Sequence, residues 1–227
     1  MTFLRNIRNG LRRRWDSLWT RSDVEVAIVG TGSPWAIKAD LLAAGAVVIS
    51  GGVGKDVSFE RDLAEKYGCR VFLFDPSPTG LATMSMPQNQ HERMVFFPIG
   101  LAADAGSLAF NLPQNLAEGS YSVQRAELKS GITEFRCTTL SAFVGEQELS
   151  RIDLLKLDIE GFEYGVLNDV LATGIPITQI CVEFHHFMPG IGLGETLRCI
   201  SRLRRKGYVL VKKDMCDYLF VARSALR

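Results

Sequence analysis

The sequence predicts an α/β fold in which a seven-stranded, mostly parallel sheet is covered by helices on both faces and ends in an antiparallel hairpin. The chain has 227 residues, of which 47% are hydrophobic, a composition that suits a single globular domain. From about residue 22, short apolar segments alternate with amphipathic ones, and this alternation is typical of a parallel sheet with helical crossovers. The last two apolar segments lie too close together for a helix between them, so they are expected to pair as the hairpin.

The strands are predicted from continuous apolar runs, and the helices from apolar residues at three- and four-residue intervals. The expected strands are Val24–Val29, Ala46–Ser50, Arg70–Phe74, Val95–Ile99, Ile152–Leu157, Gln179–Phe184, Tyr208–Val211 and Tyr218–Ala222. The expected helices are Ile37–Ala44, Ser58–Tyr67, Phe162–Thr173 and Glu195–Lys206. Residues 103–145 interrupt the alternation and are rich in Ser, Gly and Asn, so we expect an excursion with weak strands on the substrate side.

Charge and composition exclude several classes of protein. Lys and Arg number 26 against 25 Asp and Glu, for a formal net charge of +1, which argues against a dedicated nucleic-acid-binding protein. The apolar runs are much shorter than the roughly 20 residues that a helix needs to span a bilayer, so an integral membrane protein is excluded. Five scattered cysteines without a C-x-x-C pair indicate reduced thiols and a cytoplasmic location.

Residues 1–22 differ from the rest of the chain and are predicted to form a basic amphipathic helix ahead of a domain that spans residues 23–227. Residues 1–21 carry six arginines and one aspartate, a side-chain charge of +5. Their apolar residues recur at helical spacing and are Phe3, Leu4, Ile7, Leu11, Trp15, Leu18 and Trp19. This stripe could pack on the domain or on a partner subunit. A basic helix with tryptophan at its apolar boundary also suits peripheral contact with an anionic membrane, and a mitochondrial presequence would look similar.

The chain has two glycine-bearing loops after predicted strands, where a doubly wound sheet binds ligands. The first, Gly30–Trp35 (GTGSPW), begins like a dinucleotide-binding fingerprint. Trp35 stands at the third glycine position, where a helix and a strand must pack closely, and the next strand ends at Ser50 instead of at an acid. This loop therefore argues against nicotinamide or flavin binding.

The second loop, Ser50–Asp56 (SGGVGKD), is the better candidate for ligand binding. Gly52 and Gly54 would let the backbone approach a ligand closely, and the next strand ends at Asp75, 21 residues past Gly54. A carboxylate there can accept hydrogen bonds from both hydroxyls of a ribose. Neither a third glycine nor a G-K-[ST] sequence follows, which excludes a phosphate-cradling loop and favours S-adenosylmethionine. The structural alternative is that the loop is only a tight turn and that Asp75 stands near it by chance, without binding a ligand.

Acidic residues and histidines follow two of the later strands. They are Asp158, Glu160 and Glu163 after one strand, and Glu183, His185 and His186 at the end of the next. A carboxylate such as Asp158, at the carboxyl end of a central parallel strand, lies in the ligand crevice. Glu183 and His185 share one face of their strand by its two-residue period. A structural interpretation also exists, since acids near a helix N-terminus stabilise its dipole and a histidine can be a core residue.

Taken together, four blocks of the sequence resemble FkbM-type S-adenosylmethionine-dependent methyltransferases. The blocks are 50–60 (SGGVGKDVSFE), 74–78 (FDPSP), 154–164 (LLKLDIEGFEY) and 182–186 (VEFHH). They occur in the family's order, and the resemblance covers roughly residues 30–222. The chain departs from the family at Lys55, where an acid is usual, and at Gly51, where an aromatic residue is common. The resemblance implies a Rossmann-like class I methyltransferase fold.

The same resemblance implies an enzyme that transfers a methyl group from S-adenosylmethionine to a hydroxyl of a sugar, glycan or secondary metabolite. The charge balance adds the expectation that nucleic acid is not a partner. The implied cofactor-binding residues are Ser50, Gly52, Val53, Gly54, Asp75, Pro76, Gly100, Leu101, Asp158, Ile159 and Glu160. The glycine loop would contact the methionine part, Asp75 the ribose, and Gly100–Leu101 the adenine. Asp158 would border the methyl group. The alternative is a non-catalytic binding module that keeps the same sheet.

The resemblance also implies three catalytic residues, which are His185, Glu183 and Asp158. We expect His185 to be the general base, because an imidazole with a pKa of about 6.5 suits proton abstraction near neutral pH. Glu183 would orient or charge it. As an alternative, Mg²⁺ could be held by Asp158, Glu160, Glu183 and His185, because carboxylate oxygens suit this cation.

Overall fold

The computed structural model describes residues 20–21, 23–113, 115, 119–123 and 131–226. The helix predicted for residues 1–22 therefore lies almost entirely outside the described residues. Among the residues that are described, no helix combines the length and the apolar character needed to cross a bilayer.

Strands and helices alternate along the chain as expected for an α/β domain. The strands are β1 (Ala27–Val29), β2 (Trp35–Ile37), β3 (Val47–Gly51), β4 (Arg70–Phe74), β5 (Met94–Phe97), β6 (Gly100–Leu101), β7 (Gly106–Asn111), β8 (Ser122–Val123), β9 (Ile132–Thr138), β10 (Ile152–Leu157), β11 (Ile177–Glu183), β12 (Tyr208–Asp214) and β13 (Asp217–Ala222). The helices are α1 (Ser58–Glu65), α2 (Pro78–Ser85), α3 (Leu140–Glu146), α4 (Glu163–Thr173) and α5 (Leu193–Arg205).

Seven strands form the central sheet in the order β12-β13-β11-β10-β3-β4-β5. Neighbouring strands pair in parallel except at β13, which is antiparallel to both β11 and β12. The β12–β13 pair is the expected hairpin, and the predicted fold class is confirmed. Inner-strand residues such as Ile49, Phe72 and Leu155 are fully buried, because the sheet is covered on both faces.

Two apolar cores lie against opposite faces of the central sheet. One is formed with α3, α4 and α5, and it includes the contacting rings of Phe72, Phe74, Phe97 and Phe143, whose centroids lie 4.7–6.2 Å apart. The other is formed with α1 and the β1–β2 hairpin. Alternate residues of the inner strands enter alternate cores, as the two-residue period of a strand requires.

The predictions for the N-terminal part of the domain need correction. The predicted strand Val24–Val29 shortens to β1, which forms a two-stranded antiparallel hairpin with β2. The predicted helix Ile37–Ala44 is wrong, because its first residue ends β2 and only a 3₁₀ turn, Ala39–Leu41, follows. The fully buried side chain of Gln179 accepts a hydrogen bond from the Lys38 backbone N–H (2.9 Å) and donates one to the Lys38 carbonyl oxygen (3.2 Å). These two bonds hold the backbone extended where a helix was expected.

The 103–145 excursion supplies most of a second sheet, in the order β6-β9-β7-β8, together with α3. The backbone N–H of Val123 in β8 donates to the carbonyl oxygen of Glu160 at 3.0 Å, so the excursion is fastened beside the end of β10. Neither α2 nor α3 was predicted. The start of α2 does carry a recognisable signal, since Ser77 caps the helix by accepting from Gly80 N–H and proline follows at the first helical position.

The strand order reverses between β3 and β10. From β3 the chain adds β4 and β5 on one side, and later adds β10 and β11 on the other. At the carboxyl ends of the two central strands, Gly51 is paired with Leu157. Ligands of doubly wound sheets bind in the crevice at such a reversal. The fold therefore places the second glycine loop and the acids that follow β10 around one crevice.

Candidate active site

A cavity of about 220 Å³ opens in this crevice. The glycine loop after β3, the residues that follow β4 and the turn after β10 form its walls. The predicted cofactor-binding residues that line it are Gly52, Val53, Gly54, Asp75, Pro76, Gly100, Leu101, Asp158, Ile159 and Glu160. Ser50, the remaining member of that set, is fully buried and is not among the lining residues.

Two glycines shape the loop in different ways. Gly52 has a φ of +87°, and a Cβ atom there would lie 1.8 Å from the carbonyl oxygen of Asp158, a distance that no side chain tolerates. Gly54 has a φ of +57°, and a Cβ atom there would meet no atom within 4 Å. Gly52 therefore lets the loop pack on the neighbouring strand end, whereas Gly54 leaves open space toward the cavity.

Asp75 fastens the glycine loop to the end of β4. Its Oδ2 accepts hydrogen bonds from the backbone N–H groups of Val53 (2.9 Å) and Gly54 (3.0 Å), and its Oδ1 accepts one from Ser77 (2.8 Å). A carboxylate offers about four acceptor sites, so capacity remains for a ligand. The ribose contact expected of Asp75 stays a prediction.

A buried polar network beneath the cavity was not anticipated from the sequence. Lys156 of β10 donates from Nζ to the carbonyl oxygen of Gly52 at 2.5 Å. The same Nζ lies 3.9 Å from a carboxylate oxygen of Glu60 and 3.9 Å from one of Asp158. Ser50 Oγ donates to Glu60 at 2.5 Å, and burial raises the pKa of Glu60. A lysine that follows two leucines and precedes a third within a buried strand is the sequence signal that could have revealed this network.

The first glycine loop, Gly30–Trp35, packs against the second one. Two backbone N–H groups of the first loop donate to Ser58 Oγ at 2.8 and 3.1 Å, and the Ser33 N–H donates to Asp56 at 2.9 Å. Ser33 and Trp35 also line the cavity. The first loop, which does not match a dinucleotide-binding fingerprint, thus supports the second loop, which faces the ligand crevice.

The turn after β10 holds Asp158 and Glu160 in the site. Glu160 adopts a φ of +52°, which is uncommon for a residue with a side chain. The turn continues into Gly161 with a φ of +100°, where a Cβ atom would lie 2.6 Å from Val123. Backbone strain of this kind is typical of functional sites, and here the excursion holds the strained turn in place.

Three carboxyl groups surround His185. Its backbone N–H donates to Glu163 Oε1 at 3.0 Å, and its Nδ1 lies 3.2 Å from the same oxygen. On the other side of the ring, Nε2 lies 3.4 Å from Glu160 Oε2 and 3.8 Å from Asp158 Oδ1. Glu163 is completely buried and also accepts a hydrogen bond from the Gly161 N–H at 2.8 Å. Sequence reasoning treated Glu163 as an acid at a helix N-terminus and missed that it orients the histidine.

These carboxyl groups determine which residue titrates near neutral pH. Burial lowers the pKa of His185, but the hydrogen bond and charge of Glu163, with the charges of Glu160 and Glu183, outweigh it and raise the pKa to about 9. This value lies above the ordinary pKa of about 6.5 on which the expected role of His185 rested, and it favours the positively charged imidazole at neutral pH. Burial and the charge of Asp158 raise the pKa of Glu183 to about 7.

The three predicted catalytic residues do come together. One ligand atom from each of Asp158, Glu183 and His185 lies within 4.8 Å of the others. Asp158 lines the cavity, whereas Glu183 and His185 are not among the lining residues and adjoin the cavity through Asp158. His186 packs edge-on against Phe187, with ring centroids 6.2 Å apart, and is not part of this group.

Comparison with known families bears on this arrangement. A family profile described as "Methyltransferase FkbM domain" matches residues 45–210, a span that contains the glycine loop, Asp75 and both acidic strand ends. The chain belongs to the FkbM methyltransferase family. A search of curated protein sequences finds no significant match.

Several solved structures resemble this FkbM methyltransferase at low sequence identity. A methyltransferase from Pyrococcus furiosus is 10% identical, with 79% of this chain and 76% of that chain covered and a TM-score of 0.38. The fibrillarin pre-rRNA processing protein of Methanococcus jannaschii is 8% identical, with 88% and 83% covered and a TM-score of 0.44. A variant of the 16S rRNA (adenine(1408)-N(1))-methyltransferase from Catenulisporales acidiphilia is 13% identical, with 87% and 98% covered and a TM-score of 0.36. The strand order of the FkbM methyltransferase itself gives the predicted class I methyltransferase fold.

Replacing Asp75 by alanine in the FkbM methyltransferase is expected to destabilise the fold as well as the cavity. Three backbone N–H groups would lose their acceptor. We expect the unfolding free energy to fall by about 2–4 kcal/mol, less than three separate bonds of about 1.5–3 kcal/mol each would give, because water from the cavity can replace part of the lost acceptor. Urea denaturation measures this change. The exposed acid Asp104, replaced by alanine, is the control, and equal stability of the two variants would contradict the role given to Asp75.

The stability of the FkbM methyltransferase should also decline as the pH rises above neutrality. The folded-state pKa of His185, about 9, exceeds its unfolded value of about 6.5, so its stabilising contribution is complete below pH 6.5 and is lost as the pH rises through 9. The loss corresponds to about 3 kcal/mol of unfolding free energy. Denaturation curves between these pH values test this, and His185→Asn should remove the decline. A wild-type stability that stays level over this range would show that the imidazolium is not held by its acidic neighbours.

Proposed function

We propose that this FkbM methyltransferase transfers a methyl group from S-adenosylmethionine to a hydroxyl oxygen of a sugar, glycan or secondary metabolite. The observation that carries the proposal is the position of Asp158, which belongs both to the cavity wall and to the cluster with Glu183 and His185. A donor bound in the cavity would therefore have its reactive end beside groups that can hold or take a proton.

The residues of the cavity suit an adenosyl ligand. Gly100–Leu101 and the ring of Phe110 provide an apolar wall for a base, Asp75 retains acceptor capacity for a ribose hydroxyl, and Gly54 leaves space for the amino-acid end. When bound, S-adenosylmethionine supplies a methyl group on a positively charged sulfur atom. The carboxyl group of Asp158 at the cavity wall suits a positive charge there.

Glu183 is the base that we assign to the acceptor hydroxyl. Its pKa of about 7 suits proton abstraction near neutral pH, and it lies next to Asp158 at the end of β11. His185, behind both acids, carries the positive charge that lowers the Glu183 pKa and offsets the repulsion between the carboxyl groups. The assignment expected from the sequence is thereby revised: His185 becomes an electrostatic partner, and Glu163 becomes a positioning residue that acts through it.

Asp217 of β13 extends the acidic cluster toward solvent. It is paired with Glu183 in the sheet, and burial together with the charge of Asp158 raises its pKa to about 6. Glu183 and Asp217 thus form two neighbouring sites of similar proton affinity beside Asp158. A proton taken from the acceptor can pass from Glu183 to Asp217 and leave the site.

The proposal assigns no step to Mg²⁺: the acceptor proton goes to Glu183, and the imidazole of His185 lies against Glu160 and Asp158. Treatment with a chelator of divalent cations is expected to leave turnover unchanged. Loss of activity on chelation, with recovery on addition of Mg²⁺, would instead favour the metal alternative.

A non-catalytic binding module is the alternative function, and the titration of Glu183 near neutral pH argues against it, since displaced pKa values are typical of functional sites. Calorimetric titration with S-adenosylmethionine, followed by transfer of a labelled methyl group to a panel of hydroxylated sugars, glycans and metabolites, tests the two. We expect binding and an O-methylated product. Binding without transfer to any acceptor would favour the module, and an absence of binding would contradict the proposal.

A further inference from the structure

The outward face of α5 carries a row of positive charge. The basic residues of the helix and its cap are Arg198, Arg202, Arg204, Arg205 and Lys206, against one acid, Glu195. Arg198, Arg202 and Arg205 follow at intervals of four and three residues, so they share one side of the helix, and all three are exposed. Residues 193–206 together carry a side-chain charge of +4.

The rest of the domain is negative. Residues 1–21 carry +5 and residues 193–206 carry +4, while the whole chain carries +1, so the remaining residues carry −8. A chain of nearly zero net charge therefore has its positive charge concentrated in two segments. Such a distribution orients a protein in the field of a negatively charged partner.

Arg21, the last arginine of the basic N-terminal segment, lies at the same edge of the central sheet as α5. The backbone N–H of Arg21 donates to the carbonyl oxygen of Leu210 in the edge strand β12 at 2.9 Å. That strand begins at Tyr208, directly after α5 and its cap, and α5 packs against it. The basic N-terminal segment thus joins the domain beside the basic helix.

We propose that the outward face of α5 docks on the surface of an anionic lipid bilayer. Two leucines of α5, Leu193 and Leu197, are 54% and 57% exposed, and they extend along the helix next to the arginine row. Basic residues together with exposed apolar ones suit a lipid surface, whereas a nucleic-acid backbone would be matched by the positive charge alone.

A groove between α4 and α5 offers a place for lipid headgroups. It has a volume of about 530 Å³ and is lined by Asn168, Leu171, Ala172, Arg202, Arg205 and Lys206. Arg202 is already directed into it by its hydrogen bond to the Asn168 side chain. The three cations at the C-terminal end of α5 can therefore surround a phosphate group.

Sedimentation of the full-length chain with vesicles tests this docking surface. The vesicles are phosphatidylcholine alone or phosphatidylcholine with phosphatidylserine, at low and at physiological salt. We expect binding only to the vesicles that contain phosphatidylserine. The triple variant Arg198→Gln, Arg202→Gln and Arg205→Gln should bind them about a hundredfold more weakly, because each basic residue near an anionic surface contributes about a factor of five.

The matched control is the triple variant Lys66→Gln, Arg93→Gln and Arg136→Gln, which changes the net charge equally at exposed positions outside α5. It should bind vesicles within a fewfold of the wild type, and melting curves establish that both variants are folded. The proposal would be overturned if vesicle binding were weakened equally in the two variants, or if the wild-type chain did not bind anionic vesicles. Tighter binding to RNA than to vesicles that is lost in the α5 variant would also overturn it and would assign the surface to nucleic acid.

Discussion

Replacement of Glu183 by glutamine is expected to lower the methyl-transfer rate by about 10²–10⁴-fold, the usual contribution of a positioned general base. Glutamine keeps the size of the side chain and removes the proton acceptor. Affinity for S-adenosylmethionine should stay nearly constant, because Glu183 is not among the residues that line the cavity. Initial rates at saturating donor, with Glu195→Gln on α5 as the control, measure the effect.

The pH dependence of the rate gives this prediction a second readout. A carboxyl group can accept a proton only when it is ionised, so the wild-type rate should fall on acidification through an apparent pKa near 7. His185→Asn removes a charge that lowers this pKa, and we expect it to move the acidic limb to higher pH while the rate in alkali is largely kept. If His185 itself were the base, His185→Asn would be slow at every pH. That result, or normal turnover in Glu183→Gln, would contradict the assignment of Glu183 as the base.

Glu163→Ala is expected to have the largest effect on folding, a loss of about 3–5 kcal/mol in unfolding free energy. The change leaves the charged ring of His185 buried without its closest acidic partner, and it removes the acceptor of the Gly161 N–H. Urea denaturation near neutral pH measures the loss, and the exposed acid Glu146, replaced by alanine, is the control.

A double variant separates the ion pair from simple loss of packing. If the cost of Glu163→Ala comes from the unpaired charge, then Glu163→Ala combined with His185→Asn should be more stable than the sum of the two single changes predicts, with a coupling of about 1–3 kcal/mol. Strict additivity of the two changes would show that the buried carboxyl group does not stabilise the imidazolium.

The central strands could be predicted because burial on both faces makes each one a largely apolar run. Arg70–Phe74 and Ile152–Leu157 have the same bounds in the sequence prediction and in the structure. The helix predicted for Ile37–Ala44 was wrong because the backbone there is determined by a distant residue. There the backbone conformation is set by Gln179, 141 residues beyond the Lys38 that it clamps, and no local pattern carries that information.

The site was predictable to the same extent. The sequence could place the glycine loop, Asp75 and Asp158 at one crevice, because each follows a predicted strand and that position is a local property of the sequence. The roles of Glu163 and Lys156 depend on partners that only the fold brings near, namely His185 and Glu60. The protonation of the histidine escaped prediction for the same reason, because the acids that raise its pKa belong to different segments of the chain.

The contact between Gly52 and Asp158 has a consequence for how enzymes of this kind can diverge. Because not even one methyl group fits between the loop and the strand end, the glycine loop and the turn after β10 cannot be reshaped independently of each other. If donor and acceptor bind as proposed, different acceptors are accommodated by the 103–145 excursion and the β12–β13 turn. We expect relatives that methylate different molecules to vary in those peripheral segments and to retain the contact between Gly52 and Asp158.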